Sequence, residues 1–440
     1  MLSTTDVTDL RRACLSDASD EIDRLSRIAE AMKPELHPSS ISVPPDAAPE
    51  MTAFARKSRT NYLPLVVDIL SQSLRIVGYR AGDKRDNLAV WSIWQANGMD
   101  ARQMGIIRGA LTYGHAYGLV LPGEGIPVMR GRSPRKLIPM YVNPIDDLWP
   151  QYALDIVDST TQRILDDKFA YVMSKTRDGG WVLTDTQEHG VGVCPVVRFR
   201  DRIDLDDDLP QGVVESLLPI QARIDETIFG LLTSQHYSAF FQRWVTGWTA
   251  QKDAAGNPKP MKSSVRNMFT FEDPDVKVGQ FAASDLRGYL DSHHAGVRDI
   301  AAISQVPPQA LLGEMANLSA EALAATEAGK DRRAAEIETS LGESAEQMLR
   351  LAAMVAGDPS AAGDESAQVR WADTTARSLA QVVDALGKMA SLLGIPPQGL
   401  WDRIPDATDQ DIAEWEALAA TSDPLSALAD QFARQSDGSN

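Results

Sequence analysis

The sequence predicts an α+β protein that is predominantly helical. Several long stretches place apolar residues at steps of three and four, as in amphipathic helices. Between residues 117 and 199, short stretches alternate apolar and polar residues and are separated by Gly, Pro and Asp, as in strands joined by turns. The 440 residues, 43% of them apolar, suffice for two to four domains with ample cores.

Residues 1–49 are predicted to form an N-terminal arm. Residues 1–33 contain two short amphipathic stretches, and the proline-rich HPSSISVPPDAAPE segment that follows favours extended chain. The amino terminus lacks the basic and apolar regions of a signal peptide, and no run of about 18 apolar residues occurs. We therefore expect a protein that acts in a cytoplasm and has no membrane span.

An α+β region is predicted over residues 50–212. It begins with a helix over 51–77, in which Pro64 marks either the first ordered turn or a kink, and continues with helical stretches at 88–96 and 101–117. Short strands are predicted at 117–121, 136–142, 169–173, 181–184 and 194–199. The Asp178-Gly179-Gly180 sequence between two of them indicates a hairpin.

Two long helices are predicted at 213–241 and 284–304, with Ser284 as the cap of the second. They bracket a compact block at 242–283, so the pair makes a stalk that carries a knob. After the second helix, Pro307 and Pro308 prevent its continuation. A longer helix is predicted to begin after Ser319, a suitable N-cap, and to reach about residue 355.

The last part of the chain, residues 358–440, is acidic. It contains 14 Asp and Glu against 5 Lys and Arg, which gives 5 − 14 = −9, half of the formal net charge of −18. Helices are predicted at 375–393 and 412–420, followed by a polar tail. The overall charge argues against a protein that reads a DNA sequence, because such proteins neutralise phosphates with Lys and Arg.

Three segments resemble a known family. They are NYLPLVVD at 61–68, FEDPDVKVGQ at 271–280 and GEMANLSAEAL at 313–323. In sequence and order they are similar to the portal proteins of tailed bacteriophages, notably those that infect actinobacteria. The resemblance covers about residues 55 to 355. It implies a ring of identical subunits, commonly twelve, at one capsid vertex, through which double-stranded DNA is packaged and later leaves.

The resemblance also implies the parts of a portal fold, which are assigned by residue range as follows: wing at 50–212, stem helices at 213–241 and 284–304, clip at 242–283, tunnel loop and long wing helix at 305–357, and crown with an acidic tail at 358–440. In this family the clip docks the terminase large subunit and then the head–tail adaptor, and the ring sits in the shell of major capsid protein. The implied location is the virion, after assembly in the host cytoplasm.

Three groups of residues are candidates for these surfaces. The tunnel-loop candidates are Gln309, Glu314, Asn317 and Ser319, and the clip candidates for partner docking are Trp244, Trp248, Lys252 and Asp253. The two tryptophans either anchor a partner or fill the core of the knob. The third group consists of four basic residues within seven positions: Arg130, Arg132, Arg135 and Lys136. Three roles are open for this group: contact with phosphate, contact with acidic residues of a neighbouring subunit, or exposure to solvent alone.

Catalytic and cofactor motifs are not found in the sequence. Gly329-Lys330 lacks the upstream glycine and the following Ser or Thr of a phosphate-binding loop. His293-His294 lacks further ligands at metal-binding spacing, and Glu188-His189 with Cys194 lacks an oxyanion motif. We expect no cofactor, no metal and no enzyme activity. The alternatives are a non-enzymatic head-completion or scaffolding protein of a virion, or a phage hydrolase, for which no convergent site is recognisable.

Overall fold

The computed structural model describes residues 1–35, 41, 43, 49–82, 87–205, 209–239, 243–247, 275–280, 285–313, 320–372, 379–404, 407 and 409–422. Within them the chain is α+β and predominantly helical, as the sequence predicts. The chain divides into two compact units. The first comprises Met1–Ile28, Val66–Glu215 and Leu318–Asn440, and the second comprises Ala29–Leu65 and Ser216–Asn317.

Helices form most of both units. In chain order the α-helices are α1 (Thr4–Asp17), α2 (Ser19–Ala31), α3 (Pro49–Lys57), α4 (Leu63–Gln72), α5 (Leu88–Ala96), α6 (Met99–Tyr113), α7 (Val213–Ala239), α8 (Arg287–Ser304), α9 (Pro308–Leu312), α10 (Ala320–Ala356), α11 (Pro359–Ala362), α12 (Leu379–Leu393) and α13 (Asp409–Ser422). A 3₁₀ helix covers Pro397–Arg403. Among the described residues, no helix is both long enough and apolar enough to cross a bilayer.

The strands are antiparallel wherever they pair. In chain order they are β1 (Ile76–Arg80), β2 (His115–Leu121), β3 (Val128–Arg132), β4 (Leu137–Met140), β5 (Tyr152–Ile156), β6 (Thr161–Leu165), β7 (Phe169–Lys175), β8 (Trp181–Glu188), β9 (Val196–Arg200), β10 (Arg243–Thr246), β11 (Lys277–Gln280) and β12 (Gln368–Trp371). Among the described residues they form sheets in the orders β4-β5-β6-β7-β8, β3-β2-β9, β1-β12 and β10-β11.

Strands β4 to β7 of the five-stranded sheet have buried residues on both faces. Successive residues of a strand point to opposite sides, so Leu137 and Ile138 of β4 enter different cores. One core lies between this sheet and strands β2 and β9, and its members are Tyr117, Leu119, Leu137, Ala153, Leu165, Ala170, Cys194 and Val196. The other core includes Val7 and Cys14 of α1. The first helix of the predicted arm is therefore an integral part of the first unit.

The long helix α10 packs on the three-stranded sheet of the first unit. It contacts β2 and β9, and Gly118 of β2 lies so close that an added Cβ would be 2.6 Å from Met348 Sδ. Ile337, Leu341 and Met348 of α10 are fully or almost fully buried. The predicted apolar stripe of this helix thus covers the sheet, and the predicted end near residue 355 agrees with the observed end at Ala356.

The prediction of one helix over residues 51–77 is wrong. The chain forms α3 and α4, and then strand β1. Asn61 Oδ1 accepts a hydrogen bond from Leu63 N, and Pro64 occupies the second position of α4, where its missing N–H costs no helical hydrogen bond. Strand β1 was not recognisable because its partner β12 lies almost 300 residues away.

In the two larger sheets, β3, β5 and β6 were also missed, whereas the other five strands and the hairpin at Gly179 were predicted. Strands β5 and β6 carry polar residues at buried positions, Asp155 and Gln162, which break the alternation of apolar and polar residues. Asp155 accepts hydrogen bonds from Arg163 on the neighbouring strand. The alternation of apolar and polar residues therefore does not reveal a strand in which an ion pair takes the place of apolar packing.

Candidate functional site

The helices α7 and α8 of the second unit run antiparallel, and two glycines allow their side chains to interlock. A Cβ at Gly230 of α7 would lie 2.8 Å from Tyr289 Cε1, and a Cβ at Gly296 of α8 would lie 2.8 Å from Ile224 Cγ1. Ser234 Oγ donates to the Tyr289 hydroxyl at 3.2 Å. Arg223 and Asp299 form an exposed ion pair between the same helices. The predicted stalk is therefore a tightly packed helix pair.

The helix boundaries of this pair differ slightly from those predicted. Helix α7 begins at Val213, as predicted, and Pro219 lies inside it. Helix α8 begins after Leu286, which provides no side-chain cap, while the predicted cap Ser284 lies outside the described residues. The chain between the two helices includes the described strands β10 and β11, which pair with each other.

A buried ion pair fixes the segment before α4 to α7. Arg59 Nη1 lies 2.6 Å from Asp225 Oδ2, and the second nitrogen of the guanidinium donates to the Ala31 carbonyl. Gln221 donates to Asp225 Oδ1 and accepts from Tyr62 N. Burial raises the pKa of Asp225, although Arg59 opposes this change. The network holds the chain around residues 31 and 60 against the stalk.

Of the clip candidates, only Trp244 lies within the described residues. Its indole covers Gly279 of the paired strand, where a Cβ would be 2.4 Å from the ring atom Cζ2. The side chain keeps 38% of its surface exposed. It therefore packs across the β10-β11 pair without being buried. Trp248, Lys252 and Asp253 lie outside the described part of the chain.

The predicted tunnel loop starts with a helical turn. Gln305 ends α8 in the left-handed conformation with φ 58°, Pro307 is the N-cap of α9, and Pro308 is its first residue. Because proline suits the first turn of a helix, the two prolines end one helix and begin another. Half-buried Gln309 thus lies in a helix and not in a loop. Glu314, Asn317 and Ser319 lie outside the described residues.

The basic cluster is divided between a strand and a turn. Arg130 and Arg132 lie on β3, while Arg135 and Lys136 lie on the exposed turn before β4. Arg132 Nε lies 3.0 Å from the buried carboxylate of Asp155, which Arg163 also contacts. Of the four, Arg132 is thus paired within its own chain.

An ion pair that was not predicted from the sequence fixes α10 to the end of β9. Arg333 Nη2 donates to both carboxylate oxygens of fully buried Asp201, at 2.6 and 2.7 Å. Burial nevertheless raises the pKa of Asp201 to about 6. The two residues are separated by 132 positions, so no local pattern could have paired them.

Cys14, His189 and Cys194 are buried or half-buried. Burial raises the pKa of Cys14 to about 11 and raises that of Cys194 well above its usual range, so both remain thiols at neutral pH. His189 contacts the Asp166 carbonyl, and Cys194 contacts the Leu165 carbonyl. Within the described ranges, no three His, Cys, Asp or Glu side chains are grouped so that they could hold a metal ion.

Comparison with known proteins identifies the family. The profile of the family described as phage portal protein, SPP1 Gp6-like, matches residues 21–424. The chain belongs to this family of phage portal proteins. The match confirms the resemblance found in the three sequence segments and extends it well beyond them, from the N-terminal helices to α13.

Named relatives of this portal protein agree with the family. The portal proteins of Mycobacterium phage D29 and Mycobacterium phage L5 are each 23% identical to it, over 359 and 361 residues, which is 76% of this chain and 72% of each relative. Among solved structures, the virion of a native gene transfer agent particle matches with a TM-score of 0.48 at 13% identity, covering 80% of this chain and 95% of that chain. The neck of the native particle computed with C12 symmetry gives a TM-score of 0.48 at 14% identity, with 82% and 97% covered.

Proposed function

We propose that copies of this portal protein, commonly twelve in the family, form a ring at one vertex of a phage capsid. Double-stranded DNA passes through the central channel during packaging and again during ejection. The match to the portal family over residues 21–424 carries this proposal. In this role the protein forms the passage for DNA and catalyses no reaction. The ATP hydrolysis that drives packaging therefore belongs to another protein.

The parts of the subunit follow the assignment made from the sequence. Helices α7 and α8 act as the stem, the chain between them as the clip, residues 50–212 and 305–357 as the wing, and residues 358–440 as the crown with its tail. The antiparallel packing of α7 and α8 around two glycines supports the stem, because a rigid pair can carry the clip at a fixed distance. The assignment changes in one respect: because β12 pairs with β1 of the wing, the proposed wing extends to Trp371 and the crown begins after it.

The clip is the proposed docking face for protein partners. The terminase large subunit binds there during packaging, and the head–tail adaptor replaces it afterwards, while the wing contacts the major capsid protein. Trp244, with its exposed indole, and the neighbouring Trp248, Lys252 and Asp253 are the residues proposed to meet these partners. The protein assembles in the host cytoplasm and remains in the virion.

The segment from Gln309 to Ser319 is proposed to face DNA in the channel. Contacts with the DNA backbone there are few and independent of sequence, because every strong contact would have to break at each step of translocation. The net charge of −18 suits this role, since acidic surfaces do not bind phosphate.

Native mass spectrometry and electron microscopy of the purified protein test the ring. The expected result is a closed ring of identical subunits, seen in top views with a central opening. A head-completion or scaffolding protein, the alternative function, has no need for a closed ring with a continuous channel. A protein that remained monomeric or dimeric under all conditions would contradict the proposal.

Deletion of residues 313–318 separates channel function from assembly. We expect the shortened protein to form rings as the intact protein does, while particles that carry it package or retain less DNA. Assembly is measured by native mass spectrometry, and DNA content is measured by quantitative PCR of nuclease-treated particles. If the deletion abolished ring formation, the segment would belong to the subunit interface and not to the channel.

A further inference from the structure

Positive charge, most of which the described residues of the chain do not neutralise, gathers on one side of the first unit. The group consists of Arg102 on α6, Arg130 and Arg132 on β3, and Arg135 and Lys136 on the following turn, and is called the basic patch. Burial, and the nearby charges of Arg102 and Arg132, lower the pKa of Arg130. Like charges therefore crowd one another in a chain whose net charge is −18.

Few carboxylates among the described residues neutralise the basic patch. Arg132 pairs with Asp155, but Arg163 shares the same carboxylate. In the part of the chain that the structure describes, none of the other four residues has a carboxylate within ion-pair distance. Arg130 is held in place by hydrogen bonds to Asn97 Oδ1 and to the Met129 carbonyl, so the charge is fixed in position.

A second surface lies at the other end of β4. Residues 142–148, called the β4–β5 loop, expose the large apolar side chains of Val142 (78%), Ile145 (40%) and Leu148 (69%) beside the carboxylates of Asp146 and Asp147. The apolar area is on the order of a few hundred Å², the size at which an exposed patch marks an interaction site.

The β4–β5 loop is held in one shape by hydrogen bonds. Asn143 donates from its backbone to Asp147 and from its side chain to Asp146. Arg198 of β9 donates to the Pro144 carbonyl, and Gln347 of α10 donates to the Leu148 carbonyl at 3.0 Å. A loop fixed in this way loses little conformational entropy when it binds a partner.

We propose that the β4–β5 loop of one subunit binds the basic patch of a second copy of this chain. The acidic and apolar loop and the basic patch flank the opposite ends of β4, a strand of four residues. A head-to-tail contact uses two different surfaces of the same chain, and repeated head-to-tail contacts form a ring when the rotation between copies closes. The inference rests on the proposed ring and names two surfaces that build it.

The composition of the loop favours a protein partner over DNA for this contact. Exposed Val142, Ile145 and Leu148 gain nothing from phosphate, whereas apolar side chains surrounded by charged groups are typical of the interfaces between proteins. Neutralising the basic patch with Asp146 and Asp147 of the next copy also offsets part of the repulsion between subunits that each carry a charge of −18.

Charge reversal tests this contact in the full-length protein. Arg135→Glu and Asp146→Lys are each expected to weaken subunit association roughly tenfold, and the protein that carries both changes is expected to regain most of the loss, because the ion pair re-forms with its signs exchanged. The apparent association constant is measured by sedimentation velocity over a range of protein and NaCl concentrations. Association of the unaltered protein is expected to weaken as salt rises.

Arg177→Glu is the matched control, since Arg177 is an exposed arginine in the turn between β7 and β8 of the same unit. It is expected to assemble like the unaltered protein.

If the single reversals assemble normally, or the double reversal is no better than the singles, the proposed contact between the β4–β5 loop and the basic patch is wrong although the ring stands. If Arg135→Glu leaves assembly intact but weakens binding to a short DNA duplex, the patch is a phosphate site and the inference is overturned. Absence of rings from the unaltered protein contradicts the proposed function itself.

Discussion

Replacing Gly114 with alanine is expected to prevent stable folding of the first unit. Gly114 ends α6 with φ 90°, a conformation that costs other residues about 1 to 2 kcal/mol. In addition, a Cβ at this position would lie 1.7 Å from the Pro210 carbonyl oxygen. Because Pro210 is held by its own backbone neighbours, the overlap cannot be relieved by turning a side chain. We expect a loss of more than about 4 kcal/mol in the free energy of unfolding.

Gly125→Ala is the control for the backbone conformation alone. Gly125 has φ 83°, but no atom lies within 4 Å of an added Cβ. Its loss of stability should therefore stay near the cost of the left-handed conformation. Soluble yield and urea denaturation followed by circular dichroism measure both variants. Equal denaturation midpoints for the two proteins would mean that the chain near Pro210 moves aside readily.

Replacing Arg333 with methionine is expected to cost about 3 to 5 kcal/mol in the free energy of unfolding at neutral pH, because it leaves the Asp201 carboxylate buried without a partner. Methionine retains much of the aliphatic length of arginine, so the change tests the charge and its hydrogen bonds. Arg332→Met is the control on the same helix, since Arg332 is exposed and donates to the Ala328 carbonyl one turn away. It should cost less than about 1 kcal/mol.

The loss caused by Arg333→Met should depend on pH with a defined sign. The pKa of Asp201 is already raised to about 6 in the folded protein, against about 3.9 in an unfolded chain. A raised carboxyl pKa favours the protonated folded state, so stability from this group falls as pH rises from about 4 through the folded pKa. Removing Arg333 raises that pKa further. The destabilisation measured by urea denaturation should therefore be greater at pH 7.5 than at pH 5, and an equal loss at both values would contradict this assignment.

The sequence was sufficient for elements whose signal is local. The apolar stripe of α10, the helix pair α7 and α8, and the hairpin at Gly179 each depend on residues close together in the chain, and the structure contains all three. Interactions across the chain were not predictable in this way. The Arg333 and Asp201 pair and the pairing of β1 with β12 join distant segments whose own residue patterns do not specify a partner.

The candidate site residues show the same division. The sequence marked Arg130, Arg132, Arg135 and Lys136 as one basic cluster, but could not show that Arg132 pairs with Asp155 while Arg135 remains exposed. It identified the double proline as the end of a helix, but not Pro308 as the start of the next one. Which basic residue forms an ion pair depends on distances in the folded chain. A proline can follow the end of one helix or occupy the first turn of the next, so its presence alone does not decide between the two.

The pairing of β1 with β12 has a consequence for the order of events during synthesis. Strand β1 leaves the ribosome about 290 residues before β12, which at about 5 to 20 residues per second corresponds to about 15 to 60 s. During that interval β1 lacks its partner strand, so the first unit stays incomplete until β12 has been synthesised. The two-stranded sheet of the first unit therefore forms only after both of its strands, far apart in the chain, have been synthesised.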